Sequence, residues 1–259
     1  ISWSAGLRER RCWSGLSWRG AFGKATRSGP ALSDAEVHVW AVPLGGDPAA
    51  YRDLMSAAEL ERLQRYRFAD HQRRFQVGHG ALRLILAGYL KVEPSTIEYR
   101  VGPRGKPYVV GHDLFFNLSH SGKLALIGVA KSELGLDVEK VRHLESLRQI
   151  AERHFSGAEF AKLDALKGSP QELAFYRCWT RKEAYIKALG EGLSMSLDSF
   201  DVSLDEAPKL VACHDGREDP DKWSMVDVSP GPDFVGAVAM RTAEIRLRCF
   251  AFDGPASGS

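Results

Sequence analysis

The sequence predicts an α+β protein built from two similar halves, and three features carry that expectation. Over its 259 residues the chain twice runs through an entry segment, amphipathic helices and then strands rich in Val, Leu and Ala. The divide falls near Leu124 to Lys131, so a pseudo-twofold pair of halves with a ligand cleft between them is the expected architecture. A composition of 44% hydrophobic and 26% charged residues suits a soluble globular chain of one large or two ordinary domains. The expected boundaries are a disordered or non-native tail at 1–32, an N-terminal half at 33–127, a C-terminal half at 128–253 and a tail at 254–259.

Residues 1–32 carry six Lys and Arg against the single acid Glu9 and show no apolar periodicity, a composition shared by disordered tails and targeting segments. Val37 to Val42 alternates as an opening strand, stopped by Pro43 and Gly45-Gly46. Ser56 and Glu59 form a capping box, with Met55 and Leu60 as its hydrophobic staple. A basic stretch then leads into a helix with Phe75, Leu82, Ile85, Leu86 and Tyr89 on its core face and Arg74 on its flank. Pro94 closes that segment, and Ile97 to Val101 is a strand entering Gly102-Pro103-Arg104-Gly105-Lys106-Pro107, either a ligand loop or an ordinary hairpin turn. Phe115 to Ser121 is a strand ending in polar groups, Leu124 to Ala130 follows, and Leu134 to Glu139 returns as its partner.

Period two matters in that last strand. Leu136 and Val138 share one face, so Asp137 and Glu139 share the other. Two carboxylates about 7 Å apart repel unless solvent or a cation separates them, and an oxygen-rich pair suits Mg²⁺. Next come a short amphipathic helix around Leu144, Leu147 and Ala151, and a helix capped by Ser156 and Glu159 and stopped by Gly168. A long helix begins at Ser169-Pro170 with Glu172 closing a box and ends at Gly190. Phe175, Cys178, Trp179, Ile186 and Leu189 line one stripe of it, while Glu183 and Lys187, four apart, flank that stripe, either as a solvated ion pair or as working charges. Strands follow at 200–204, 234–240 and 245–250, with a polar loop around Asp215 to Asp221.

The net charge of +2 is too balanced for a dedicated nucleic-acid binder, and no apolar run is long enough to cross a bilayer. Cys12, Cys178, Cys213 and Cys249 lack metal-ligand spacing and read as reduced residues, which fits a cytoplasmic protein.

Taken together, Gly135-Leu136-Asp137-Val138-Glu139, the forty-odd residue gap, and Trp179-Thr180-Arg181-Lys182-Glu183-Ala184-Tyr185-Ile186-Lys187 resemble the 4′-phosphopantetheinyl transferases of the large, surfactin-synthetase-activating type. The likeness extends to Arg73-Arg74-Phe75, Gly105-Lys106-Pro107, Asn117-Leu118-Ser119-His120-Ser121 and Gly190-Glu191-Gly192-Leu193. It implies a pseudo-dimeric monomer that moves phosphopantetheine from coenzyme A to a serine of an acyl or peptidyl carrier protein, releasing 3′,5′-ADP. Such carriers serve fatty-acid, polyketide or nonribosomal-peptide synthesis. The resemblance puts Asp137, Glu139 and Glu183 around Mg²⁺, with Mn²⁺ as a substitute, and makes Glu183 the base and Lys187 the cation facing the pyrophosphate. It puts Ser119 and His120 on phosphates, Arg74 and His120 on the ribose 3′-phosphate, and Gly105-Lys106-Pro107 on the adenine side. Trp179 reads mainly as packing. Leu136 stands where the family commonly has Val or Ile, and His71 and His79 where relatives often carry arginine, which leaves Arg62 and Arg65 as further candidates for the 3′-phosphate.

Carrier proteins are usually acidic around the modified serine, so the expected docking surface is the basic, apolar segment with Lys140, Arg142, Leu144, Leu147 and Arg148. Two rival readings use the same residues: a Mg²⁺-dependent coenzyme A phosphoesterase with water as nucleophile, and a non-catalytic module binding coenzyme A or carrier. The second should have lost one of the three carboxylates or Lys187, and all four are present.

Overall fold

The computed structural model describes residues 30–192 and 195–254, and the backbone of residues 17–18. Its elements in order are β1 (Ser17–Trp18), β2 (Glu36–Pro43), α1 (Ala57–Gln64), α2 (Ala69–Leu90), β3 (Tyr99–Val101), β4 (Pro107–Val109), β5 (Phe115–Ser121), β6 (Leu124–Ala130) and β7 (Leu134–Lys140). Then come α3 (Leu147–His154), α4 (Gly157–Asp164), α5 (Ser169–Leu189), β8 (Phe200–Val202), β9 (Leu210–Cys213), β10 (Ser224–Asp227), β11 (Phe234–Met240) and β12 (Arg246–Phe252).

One connectivity occurs twice. In the first half β2 leads through α1, α2 and the β3–β4 hairpin to β5 and β6, which return to give the order β2-β6-β5. In the second half β7 leads through α3, α4, α5 and the β8–β9 hairpin to β10 and β11, giving β7-β11-β10. Every neighbouring pair in both runs is antiparallel. The expected α+β class and repeated element order therefore describe the molecule. β12 breaks the repeat by crossing back to pair parallel with β2, and β1 pairs parallel with β12 on its other side.

Alternation along the strands creates four layers. Ala125, Ile127 and Val129 of β6 share a core with Leu82, Ile85 and Leu86 of α2. Leu126 and Ala130 point the other way and meet Leu134, Leu136 and Val138 of β7 between the two sheets. On the far side of the three-stranded sheet, Val235 and Ala237 share a core with Ala184, Tyr185 and Ala188 of α5. The layers thus run α2, five-stranded sheet, three-stranded sheet, α5.

Local signals act as read at several points. Both capping boxes form, Ser56 with Glu59 and Ser156 with Glu159, and Gly190 ends α5 in the left-handed conformation. The Gly102-to-Lys106 segment is the turn of the β3–β4 hairpin.

Other expectations are corrected. β7 is not the partner of β6: it pairs with β11, because its apolar face packs flat on β6 instead of joining its edge. Gly168 does not stop α4, which ends at Asp164; with φ 64° it precedes α5, whose first residue is Ser169. No side chain caps that start, because the N-cap position falls on Gly168 and Ser169, expected as the cap, is already the first helical residue; Glu172 pairs with His143 at 2.7 Å. The strands β9 and β10, flanking the polar loop, are additional. Cys178 and Cys213 are free, whereas Cys249 is disulfide-bonded, which corrects the expectation of four reduced cysteines. Apart from residues 17–18, the N-terminal segment to residue 29 lies outside the described residues. Among the described residues no helix is long and apolar enough to cross a membrane.

Candidate functional site

The site is assembled where β7 and α5 touch. Leu134, Leu136 and Val138 are spent on the sheet interface, which turns Gly135, Asp137 and Glu139 toward α5. Gly135 is needed there: a Cβ on it would stand 1.9 Å from the Ala184 carbonyl oxygen and 2.3 Å from the Ala188 nitrogen. This close approach sets Asp137 beside Lys187, with Nζ 2.6 Å from Asp137 Oδ1. Lys187 therefore pairs across elements with Asp137, and the short-range pair with Glu183 is not the contact it makes.

The rest of α5 is pinned by its neighbours in the motif. Lys182 is fully buried, 2.8 Å from Glu159 of the α4 capping box, and donates to the carbonyls of Leu197 and Phe200 at 2.7 and 2.5 Å. Arg181, also buried, donates to the Ser203 carbonyl at 2.6 Å. Two of the motif's cations thus satisfy backbone acceptors and lock the helix, and the remaining charges, Glu183 and Lys187, face an open cleft.

That cleft has a volume of about 660 Å³. It is lined by Asp137, Glu139 and Glu183, by Arg62, His71, Arg74, His79 and His120, and by Ser119 and Lys187. Arg74 forms an ion pair with Asp70, yet its Nε is buried without a partner. Burial first, then the positive charge of Arg74, holds the His120 imidazole below its ordinary pKa.

The acid side shows the opposite strain. Asp137 accepts from Ser119 Oγ at 2.7 Å and from Lys187 on the same oxygen, while its Oδ2 is buried and unpartnered. Burial raises Glu139, and Ser121 Oγ, donating at 2.6 Å, works against that. Glu183 is likewise raised, first by burial; Lys187 opposes the shift, and Asp137 and Glu139 add to it. Among the described residues no three ligating side chains close into a preformed metal set. The donors nonetheless fit a hard divalent cation, being all carboxylate oxygens, one of them a buried orphan, and Mg²⁺ commonly completes its shell with water and substrate phosphate.

The cleft unites Arg74, Ser119, His120, Asp137, Glu139, Glu183 and Lys187, but Lys106 and Pro107 do not line it. Lys106 is ion-paired with Glu133 and donates to the carbonyls of Leu134 at 3.0 Å and Ala188 at 3.4 Å, so it ties the hairpin to the end of α5. Pro107 is exposed at the start of β4. Trp179 does pack, stacked on Phe175 with ring centroids 6.0 Å apart, and it also lines the cleft. Tyr66 and Leu44 line it without any sequence signal, since neither belongs to a motif.

In the expected docking segment, Leu147 is buried in the core, whereas Leu144 is only partly buried against it. Lys140, Arg142 and Arg148 are exposed, although Arg148 is held 2.9 Å from Asp164.

Comparison with known proteins identifies the family. Residues 133–239 match the model of the 4′-phosphopantetheinyl transferase superfamily, and residues 43–132 match that of the 4′-phosphopantetheinyl transferase N-terminal region. The 4′-phosphopantetheinyl transferase HetI of Nostoc sp. is 38% identical over 219 residues, covering 81% of this chain and 89% of that protein. A 4′-phosphopantetheinyl transferase of Bacillus subtilis is 32% identical over 200 residues, covering 73% and 88%. Sfp of Bacillus subtilis strain 168 is 28% identical over 204 residues, covering 75% and 90%.

Proposed function

The chain belongs to the 4′-phosphopantetheinyl transferases, and from that membership we propose that its cleft transfers the 4′-phosphopantetheine of coenzyme A to a serine of an apo carrier protein, leaving 3′,5′-ADP. The observation that carries the reading is the charge of the groups lining one cleft: three carboxylates, a set of cationic and imidazole groups, and Lys187, which is paired with Asp137. A pyrophosphate ester carrying a ribose 3′-phosphate calls for both kinds of group.

Arg74, His120 and Ser119 hold phosphate oxygens, the arginine supplying its unpartnered Nε–H. Asp137, Glu139 and Glu183 would hold a Mg²⁺ ion, and a bound ion would offset the negative charge of the phosphates. The serine oxygen attacks the β-phosphorus, a new P–O bond forms, and the bond to the 3′,5′-ADP oxygen breaks. Glu183 takes the serine proton, directly or through a water. Lys187 neutralises charge on the departing phosphate as it develops.

The direct test is incubation with an apo carrier protein, coenzyme A and Mg²⁺, followed by mass spectrometry. The carrier is expected to gain one phosphopantetheine, and Glu183→Gln and Asp137→Ala to slow the gain by about 10²-fold or more. Release of phosphopantetheine with no gain on any carrier tried would replace this reading with hydrolysis.

A further inference from the structure

Each sheet presents an edge strand at the junction between them, β5 in one and β7 in the other. β7 spends the hydrogen-bonding groups of one edge on β11, which leaves its opposite edge with a row of N–H groups. Among the described residues no strand pairs with that edge. Three side chains of β5 do so instead: Asn117 Oδ1 accepts from the Leu136 nitrogen at 2.9 Å, Ser119 Oγ from Val138 at 3.4 Å, and Ser121 Oγ from Lys140 at 3.0 Å. The spacing is two residues on both strands and the offset is constant, so one face of β5 runs parallel to the edge of β7 as a ladder of side-chain acceptors.

A hydroxyl that accepts in this way still has its own proton to give. Ser119 Oγ donates to Asp137 at 2.7 Å, and Ser121 Oγ to Glu139 at 2.6 Å. Each serine therefore bridges the main chain of β7 and the carboxylate just before the residue whose nitrogen it accepts from. Ser119 also meets Lys187 at 3.4 Å and lines the cleft. Ser121 is not among the cleft-lining residues, and its described bonds are those to Lys140 and Glu139.

From this geometry we propose that Ser121 is a positioning residue, fixing the rotamer and height of Glu139 for the divalent cation while Asn117 and Ser119 set the register of the ladder. The assignment rests on the reading of Glu139 as a metal ligand. Outer partners that orient a ligating carboxylate commonly govern affinity by 10- to 100-fold. Ser121 does so without touching the cation or substrate, through a side chain half-exposed at the strand end.

The test is Mg²⁺ affinity measured calorimetrically in the presence of coenzyme A, alongside the thermal midpoint without metal. Ser121→Ala is expected to weaken Mg²⁺ about tenfold with a midpoint within about 2 °C of wild type, and Ser121→Thr, which keeps the Oγ, to restore the affinity. Three results overturn the proposal: Mg²⁺ affinity unchanged in Ser121→Ala, a loss that Ser121→Thr does not restore, or a loss that only tracks a fallen midpoint. Glu139→Gln separates the underlying reading. Affinity lost in Glu139→Gln but kept in Ser121→Ala removes the role of Ser121 alone, whereas affinity unchanged in Glu139→Gln removes the metal reading and the proposal with it.

Discussion

Glu183 holds its proton more tightly than an ordinary carboxylate because it is partly desolvated and shares the cleft with Asp137 and Glu139, Lys187 only partly offsetting them. A carboxylate with a raised folded-state pKa binds more protons in the folded protein than in the unfolded chain. Stability is therefore fully present at low pH and falls as pH rises through the ordinary carboxylate range toward that raised value. Glu183→Gln cannot ionise, so in the presence of a chelator it is expected to melt above wild type at pH 8, by about 2 °C on a scale of roughly 2–4 °C per kcal/mol, and the gap should close by pH 4. A midpoint below wild type at pH 8 would contradict the strain argued for this carboxylate. At this scale Asp137, Glu139, Glu183 and Lys187 are legible in the sequence, because strand and helix periods place each on a definite face. Tyr66 and Leu44 are not, because they reach the cleft only through the packing of α1, α2 and β2.

The contact between β7 and α5 is what turns those faces into a site, and its closeness depends on one missing side chain. Gly135→Ala would place a methyl within 1.9 Å of the Ala184 carbonyl, against backbone that cannot rotate away. The helix must then lift from the strand, carrying Glu183 and Lys187 away from Asp137. The substitution is expected to cost about 3 kcal/mol or more in stability and most of the transfer activity. Calorimetry and the carrier mass assay measure the two losses, and a fully active, normally stable variant would show that the approach is not needed. Glycine inside a strand is itself a signal of close backbone approach, but what approaches it is a long-range fact. The same limit explains the misplaced β7: its apolar alternation is visible, whereas the choice between edge pairing with β6 and flat packing on it is made by β11, almost a hundred residues away.

For the whole molecule, the repeat leaves a trace in the chain. Ser56-Ala57-Ala58-Glu59-Leu60-Glu61-Arg62-Leu63 aligns with Ser156-Gly157-Ala158-Glu159-Phe160-Ala161-Lys162-Leu163, and in both halves the box glutamate is paired with a buried cation of the next helix, Arg83 or Lys182. That correspondence is short because only the capping box and its buried pair are under the same demand in both halves. The two halves line the one cleft with different residues, and only the second supplies the carboxylates. The parallel return of β12 onto β2 has no local signal at all. The asymmetry bears on how a carrier protein docks. Arg142 lies two residues past the end of β7, is exposed, and its charge acts on Glu139. Arg148 is farther along, tied to Asp164 and stacked over Phe160 at 5.2 Å. An acidic carrier steered to the cleft should feel the free charge more than the tied one. Arg142→Glu is expected to raise the carrier KM roughly fivefold, about 1 kcal/mol, with the KM for coenzyme A unchanged, and Arg148→Glu to have a smaller effect. Raising salt should weaken the wild type more than Arg142→Glu, since the variant has already lost the attraction that ions screen. Equal salt dependence in the two proteins would move the docking surface elsewhere on the molecule.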